Sequence, residues 1–325
     1  MHNANANDVT ASIVPKLVFI VPYRDRVPHK TFFTEYMTSV VMRDFTKDQD
    51  YSIYFVHQTD TRPFNRGAMK NIGFLAIKYR YPIEYKHMTF VFNDVDTVPY
   101  TNGVIDYETS HGTIKHFYGF HYALGGMFSI KGSDFERIGG FPNFWAWGCE
   151  DNCIYDRAIA GGIIVDRSTF FPIGDQRILQ LYDGVTRNIC RTEALSTRLR
   201  STPETIWSIR NLAFDFKDEY INVSRFDTTV DPGALILETQ NIMIKPQIDL
   251  TPIMSEAEIS RRMKLQHSRY AQPQQPQQPQ QPQQPQQPQQ PQQPQQPRYQ
   301  NHVMSFLRQP FMVARTPKPV NNRKN

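Results

Sequence analysis

Apolar positions in the first hundred residues alternate between unbroken runs and helically spaced sets. Lys16-L-V-F-I-V-P-Tyr23 is a continuous β-prone run of the kind buried on both faces of a parallel sheet, and Pro22 closes it. From about His29 to Phe45 the apolar residues Phe33, Tyr36, Met37, Val40 and Val41 share one helical face. Tyr51-S-I-Y-F-V-His57 predicts a second strand. Asn65 is placed to cap a second helix, in which Met69, Ile72, Ala76 and Tyr79 keep helical spacing. Met88-T-F-V-F-Asn93 is a third strand and runs directly into Asp94-Val95-Asp96. Strand, helix, strand, helix, strand is the signature of an open α/β sheet, and such sheets take ligands beyond the carboxyl ends of their strands. Pro22-Tyr23-Arg24, His57 and Asp94-Val95-Asp96 all fall at such ends.

Further on, Gly125 to Lys131 predicts a short strand, and Ser133 is a candidate cap for a helical turn up to Ile138. A helix carrying Glu150 and Asp151 is expected to stop at Gly161-Gly162, and Ile163-I-V-Asp166 reads as one more strand. Between Arg191 and Gln247 the pattern is mixed and sets no order of elements. The expected organisation is one α/β domain over residues 10–252, followed by a basic, low-complexity tail over 253–325.

Composition supports that division. Nine prolines between Pro273 and Pro297 follow a strict Pro-Gln-Gln repeat (residues 272–297) with no apolar residue to bury. Such a segment is expected to be disordered or polyproline-like, about 75 Å long if extended. The net charge of +5 belongs to the tail: from Glu256 onward there are 10 Lys/Arg against 2 Asp/Glu, and before it 26 against 29. A basic tail suits an acidic or protein partner, or simple solvation, whereas the body has no basic stripe that would bind nucleic acid. Cys149, Cys153 and Cys190 are too few for a disulfide framework and are expected to be reduced thiols. No apolar run near the start is long enough for a membrane span or a signal sequence, so a cytoplasmic setting is expected and Asn222-Val223-Ser224 should remain unglycosylated.

Three stretches carry candidate chemistry. Asp94-Val95-Asp96 offers hard oxygen ligands for Mn²⁺ or Mg²⁺ and a diphosphate, although a polar turn closing a strand would read the same way. Pro22-Tyr23-Arg24-Asp25-Arg26 and Phe64-Asn65-Arg66 each join a ring to guanidinium groups suited to phosphate, or form ordinary solvated loops. In G-G-F-P-N-F-W-A-W-G-C-E-D-N, two of the three tryptophans, Trp145 and Trp147, precede Glu150 and Asp151. Acids in a first helical turn are favoured for stability alone. Rings beside them also suit sugar CH faces, and a carboxylate held there could take a proton from an attacking hydroxyl.

V-P-Y-R-D-R, F-N-R, F-V-F-N-D-V-D and L-G-G-M-F-S-I-K…F-E-R-I-G-G-F-P-N-F-W-A-W-G-C-E-D-N, in this order over residues 16–162, resemble the β-1,4-galactosyltransferase family, glycosyltransferase family 7. The resemblance implies a GT-A (Rossmann-like) fold and an inverting, metal-dependent transfer of a hexose from a UDP-sugar to a saccharide hydroxyl. It places Pro22, Tyr23, Arg24, Arg26, Phe64, Arg66, Asp94, Val95, Gly126 and Trp147 around the donor, and Asp96 on the metal. Trp145, Trp147 and Asn152 would meet the acceptor, Glu150 would hold a donor hydroxyl, and Asp151 would be the base.

The chain departs from the family pattern in three places. The family's M-x-x-H metal segment is replaced by Arg177-I-L-Q-L-Y-Asp183, leaving Gln180 and Asp183 as substitute ligands, or a weakened or lost site. The usual E-D-D is Glu150-Asp151-Asn152, which leaves the acceptor open. Ala123 stands where galactose-specific members carry Tyr, implying that UDP-GalNAc is used at least as well as UDP-Gal. The alternatives are a sugar-binding or assembly protein with weakened catalysis, and a related transferase using UDP-GlcNAc, UDP-glucuronate or UDP-Glc.

Overall fold

The computed structural model describes residues 13–241 apart from 182, 183, 185 and 199–201. The expected end of the domain near 252, the Pro-Gln-Gln repeat and Asp183 therefore lie outside the described residues. The first three strands are β1 (Leu17–Tyr23), β2 (Tyr51–Gln58) and β3 (Thr89–Asn93), close to the ranges that the apolar runs predict. Between them stand α1 (Val27–Tyr36) and α2 (Arg66–Arg80). After β3 come β4 (Thr97–Pro99), β5 (Thr113–Gly119), β6 (Met127–Lys131), α3 (Gly132–Arg137) and α4 (Glu150–Ala160). The short strands β7 (Ile164–Asp166), β8 (Phe171–Pro172), β9 (Ile178–Gln180) and β10 (Thr186–Ile189) lead to α5 (Arg191–Arg198). The hairpin β11 (Arg210–Lys217) and β12 (Tyr220–Asp227) follows, and β13 (Glu238–Asn241) ends the described chain.

The main sheet runs in the order β11-β12-β2-β1-β3-β6-β5-β7, with β8 also paired to β5. β1 is parallel to both β2 and β3, so it lies in the sheet centre, where both faces are covered. Its unbroken apolar run is the consequence of that position. Leu17, Phe19 and Val21 pack with α1 residues such as Phe32 and Phe33, whereas Val18 and Ile20 pack with Met69 and Ile72 of α2. The period of two in a strand thus divides one apolar stretch between two cores. The segment that had no readable order supplies β12, which adds to β2 in parallel and places Asn222 beside His57.

Several local expectations change. The first helix stops short of Phe45: after Tyr36 it widens into a π turn, Met37–Val41. There the Thr38 and Ser39 hydroxyls donate to carbonyls of the preceding turn, competing with the helical ladder. Tyr79 keeps helical spacing but is 78% exposed, while Ile77 beside it is buried. Ser133 lies inside α3 and caps nothing; β6 enters that helix directly through Lys131. Cys149 stands outside α4 as its left-handed N-cap residue, at φ 71°. The three cysteines are thiols. Among the described residues no helix is long and apolar enough to cross a membrane.

Two devices position the strand ends. The N-terminus of α2 is locked to the loop before α4: Asn71 Nδ2 donates to Phe141 O and Asn143 Oδ1 (2.8 Å each), and Asn65 Nδ2 donates to Asn143 O (2.9 Å). The approach is so close that a Cβ on Gly67 would lie 2.2 Å from Pro142 O. Beneath the β5–β6 connection, His116 Nδ1 accepts from Arg167 Nε (3.0 Å). Its Nε2–H is thereby free to donate to Tyr118 O and Gly125 O. Burial, reinforced by the charge of Arg167, pulls the His116 pKa down to about 4.

Two outcomes follow. Gly67→Ala, which helix propensity alone would favour, should instead lower stability by about 1–3 kcal/mol, measured by chemical denaturation. The low pKa of His116 means the unfolded chain binds its proton first as pH falls. Stability should therefore be complete above about pH 6.5 and decline towards pH 4, by something on the order of 3 kcal/mol. Denaturation midpoints across that range should show the slope, and His116→Gln should reduce it.

Candidate functional site

Arg66 is the first residue of α2, placed there because the Asn65 side chain accepts from the Ala68 N–H (2.8 Å) and starts the helix. Its guanidinium reaches three carboxylates. Nη2 donates to both oxygens of Asp94 (2.6 Å each), and Nη1 to Asp151 Oδ1 and Oδ2 (3.1 and 3.0 Å) and to Glu150 Oε1. Burial opposes the charge on Arg66, but Asp151, Asp94 and Glu150 outweigh it and hold its pKa well above the ordinary arginine value. Asp94 is likewise pushed up by burial, then carried below its usual value by Arg66 and Lys70. Glu150 is 4% exposed; burial, aided by the neighbouring charge of Asp151, raises its pKa. Asp94 and Glu150 thus share Arg66 as a counter-ion but are shifted in opposite directions.

Backbone geometry brings those acids together. Gly126, at φ 68°, lies so close to β5 that a Cβ would be 2.6 Å from Tyr118 O, and its carbonyl accepts from the Asp94 N–H (3.1 Å). Asp151 O accepts from the Leu124 N–H (2.9 Å), fixing Ala123 and Leu124 to the start of α4. A Cβ on Gly125 would lie 2.7 Å from Asp151 Oδ2, so the carboxylate occupies space that only glycine leaves open. Asn152 Nδ2 donates to Tyr122 O (3.1 Å) on the same rim. Val95 is buried below the turn.

Asp96 lies at the other end of that turn, where its Oδ1 accepts from Thr97 Oγ1 (2.9 Å). β4 pairs with β9 so that Thr97 faces Gln180, and the Leu181 N–H donates to Asp96 O (2.7 Å). Gln180 is therefore a neighbour of Asp96, with its Oε1 accepting from Tyr118 OH (2.8 Å). Among the described residues no cluster of three or more His, Cys, Asp or Glu side chains is arranged to hold a metal ion.

Several of the residues expected to line the nucleotide are engaged within the protein. Tyr23 is 4% exposed and its ring packs edge-on against Phe55, His57 and Tyr220, so the expected stacking face is covered. Arg24 stands over Phe64 and donates to Gln58 O and Asp60, building the 58–65 loop rather than reaching outward. Pro22 is buried within β1, and Arg26 is the N-cap residue of α1.

The two tryptophans separate. Trp147 is 44% exposed, with Arg187 over its ring at 5.7 Å and its N–H donating to Asn188 O. Trp145 is 1% exposed, stacked on Phe226 at 5.3 Å, and its Nε1–H donates to Thr228 Oγ1 and Val230 O. The expectation that Trp145 meets the acceptor is therefore corrected: β12 and the residues that follow it cover the ring.

Two side chains that hold the site together escape the sequence reading. Lys70, one turn after Arg66, is buried with Nζ 3.3 Å from Asp151 Oδ1; a lone cation on an apolar helical face was the available signal. Glu193 accepts from the Trp145 and Ala146 N–H groups (2.8 and 2.9 Å) and holds the tryptophan loop. Nothing local marks it.

Residues 7–107 match the N-terminal region of glycosyl transferase group 7, and residues 111–180 match the N-terminal domain of galactosyltransferase. Beta-1,4-galactosyltransferase 1 of Bos taurus is 31% identical over 170 residues, covering 47% of this chain and 38% of the relative. The Homo sapiens form is 31% identical over 162 residues, covering 47% and 39%. The chain thus spans under half the length of these curated relatives. Among solved structures, the catalytic domain of Drosophila beta-1,4-galactosyltransferase 7 in complex with xylobiose aligns at 20% identity and TM-score 0.50. A mutant of that enzyme in complex with manganese, UDP-Gal and xylobiose aligns at 19% and 0.53; each match covers 68% of this chain and 97% of the other. The two adjoining matches cross every element that frames the carboxylate cluster, and the chain belongs to glycosyltransferase group 7, the family of the β-1,4-galactosyltransferases.

Proposed function

We propose that the protein is an inverting glycosyltransferase that moves a hexose from a UDP-sugar to a saccharide hydroxyl. The observation that carries this reading is the convergence of Asp94, Glu150 and Asp151 on Arg66 at the carboxyl end of the parallel strands, with Trp147 open beside them. One acid follows a parallel strand and two open a helix, and all three meet at one cation. The curated relatives are galactosyltransferases, and a solved relative is described with UDP-Gal, manganese and xylobiose.

In this reading the acceptor oxygen attacks the anomeric carbon while the bond from that carbon to the UDP oxygen breaks. The acceptor proton passes to Asp151. Asp94 and Glu150 hold donor hydroxyls, and Trp147 and Asn152 face the acceptor. Arg66 is positioned to stabilise negative charge on the leaving diphosphate. The donor set at Asp96 and Gln180, one carboxylate and one amide oxygen, suits Mn²⁺ or Mg²⁺, which commonly takes few protein ligands and completes its shell with phosphate and water. Such an ion would supply charge neutralisation for the diphosphate.

Ala123 is the specificity residue of this reading, because its neighbour Leu124 is bonded to the main chain of Asp151 and its own side chain is only a methyl group. That favours UDP-GalNAc at least as well as UDP-Gal. The second reading, a sugar-binding protein with weakened catalysis, draws on the absence of a three-ligand metal cluster among the described residues.

Asp151→Asn should lower kcat by about 10²–10⁴-fold with UDP affinity nearly unchanged. Near-normal turnover would remove Asp151 as the base. A panel of UDP-Gal, UDP-GalNAc, UDP-GlcNAc and UDP-Glc, each with Mn²⁺ or EDTA, should show metal-dependent UDP release with UDP-GalNAc at least equal to UDP-Gal. A large preference for UDP-Gal would overturn the role of Ala123, and no release from any donor would favour the sugar-binding reading.

A further inference from the structure

Lys70 is the least expected charge in the molecule. It lies in the second turn of α2 with 1% of its surface exposed, between Met69 and Ile72 on the face that packs on the sheet. Its Nζ is 3.3 Å from Asp151 Oδ1, 3.7 Å from Asp94 Oδ1 and 4.7 Å from the centre of the Phe141 ring. An unbranched apolar side chain would fill the same space without removing an ammonium group from water, so packing does not account for a lysine here.

Arg66 and Lys70 differ in what they are free to do. Arg66 divides its donors among three carboxylates and, in the reading above, also faces the donor diphosphate. A guanidinium turned towards phosphate cannot keep all of those bonds. Lys70 is walled in on every side and lies beneath Asp94 and Asp151, where it cannot follow the donor. It is tied to one oxygen of Asp151, Oδ1, while Oδ2 lies against the gap at Gly125.

We propose that Lys70 is a positioning residue for the transfer reaction: it anchors Oδ1 of Asp151 from the protein side, so that Oδ2 stays aimed at the acceptor hydroxyl when Arg66 is drawn to the donor. This inference rests on the reading of Asp151 as the base. Without the ammonium, three carboxylates face one guanidinium, and mutual repulsion turns Asp151 out of its present rotamer. A displacement of about 1 Å at a base costs on the order of 10²-fold in rate.

The test uses the full chain. Lys70→Met preserves volume but leaves three carboxylates with one cation fewer, so it should fold with a lowered melting temperature, keep UDP affinity within about twofold and leave the donor KM unchanged. Its kcat should fall about 100-fold. Lys70→Ala opens a space for a small cation, so methylammonium should restore part of kcat and methanol of similar size should not. A purely structural lysine would give neither the kcat-only loss nor a rescue that depends on charge. Wild-type kcat in Lys70→Met, loss of UDP affinity in proportion to kcat, equal rescue by methanol, or failure of both variants to fold would each overturn the inference. A wild-type protein that releases no UDP from any donor, in the same assay, overturns the functional reading and this inference together.

Discussion

One guanidinium, backed by the Lys70 ammonium, holds together three separate parts of the chain. Arg66 belongs to α2, Asp94 to the turn after β3, and Glu150 and Asp151 to the first turn of α4. Bringing three carboxylates within reach of one another is unfavourable in a poorly hydrated site unless cations lie among them. The position of Arg66 is therefore a constraint on three elements at once. Asparagine side chains, not charges, enforce it: Asn65 starts the helix, and Asn71 and Asn143 bind α2 to the loop before α4.

Around that constraint the molecule divides into a rigid floor and an open rim. The floor is the central sheet, with β1 covered on both sides by separate apolar clusters. The rim consists of the Ala123–Gly126 turn, the loop carrying Trp147, and the β4–β9 pair. Each part of the rim is fastened by main-chain hydrogen bonds to something fixed below it, as Leu124 is to Asp151 and Leu181 to Asp96. At Gly125 the rim and the Asp151 carboxylate are in such close contact that no side chain fits between them.

Much of this could be read from the chain because local pattern and final burial agree. β1, β2 and β3 are apolar runs that remain buried, Asn65 does cap, and Gly161 does end α4. The misreadings share a physical cause. Trp145 and Trp147 are chemically equal neighbours, and what separates them is Phe226, about eighty positions later, arriving on a hairpin whose own strands alternate too weakly to announce themselves. Glu193 gains its meaning from a partner at Trp145 that no spacing rule connects to it. Lys70 was legible in principle, since Arg66 and Lys70 stand one helical turn apart, but a single lysine in an apolar pattern reads by default as a side chain that reaches solvent.

The separation of the two neighbouring indoles has an optical consequence. Trp145 is sealed against Phe226 with its N–H bonded, whereas Trp147 stands half in water under a guanidinium. Emission from the first reports whether the hairpin is docked, and emission from the second reports what lies against the rim. With Trp207 exposed as well, the protein carries three intrinsic fluorophores in unlike surroundings, without any label attached.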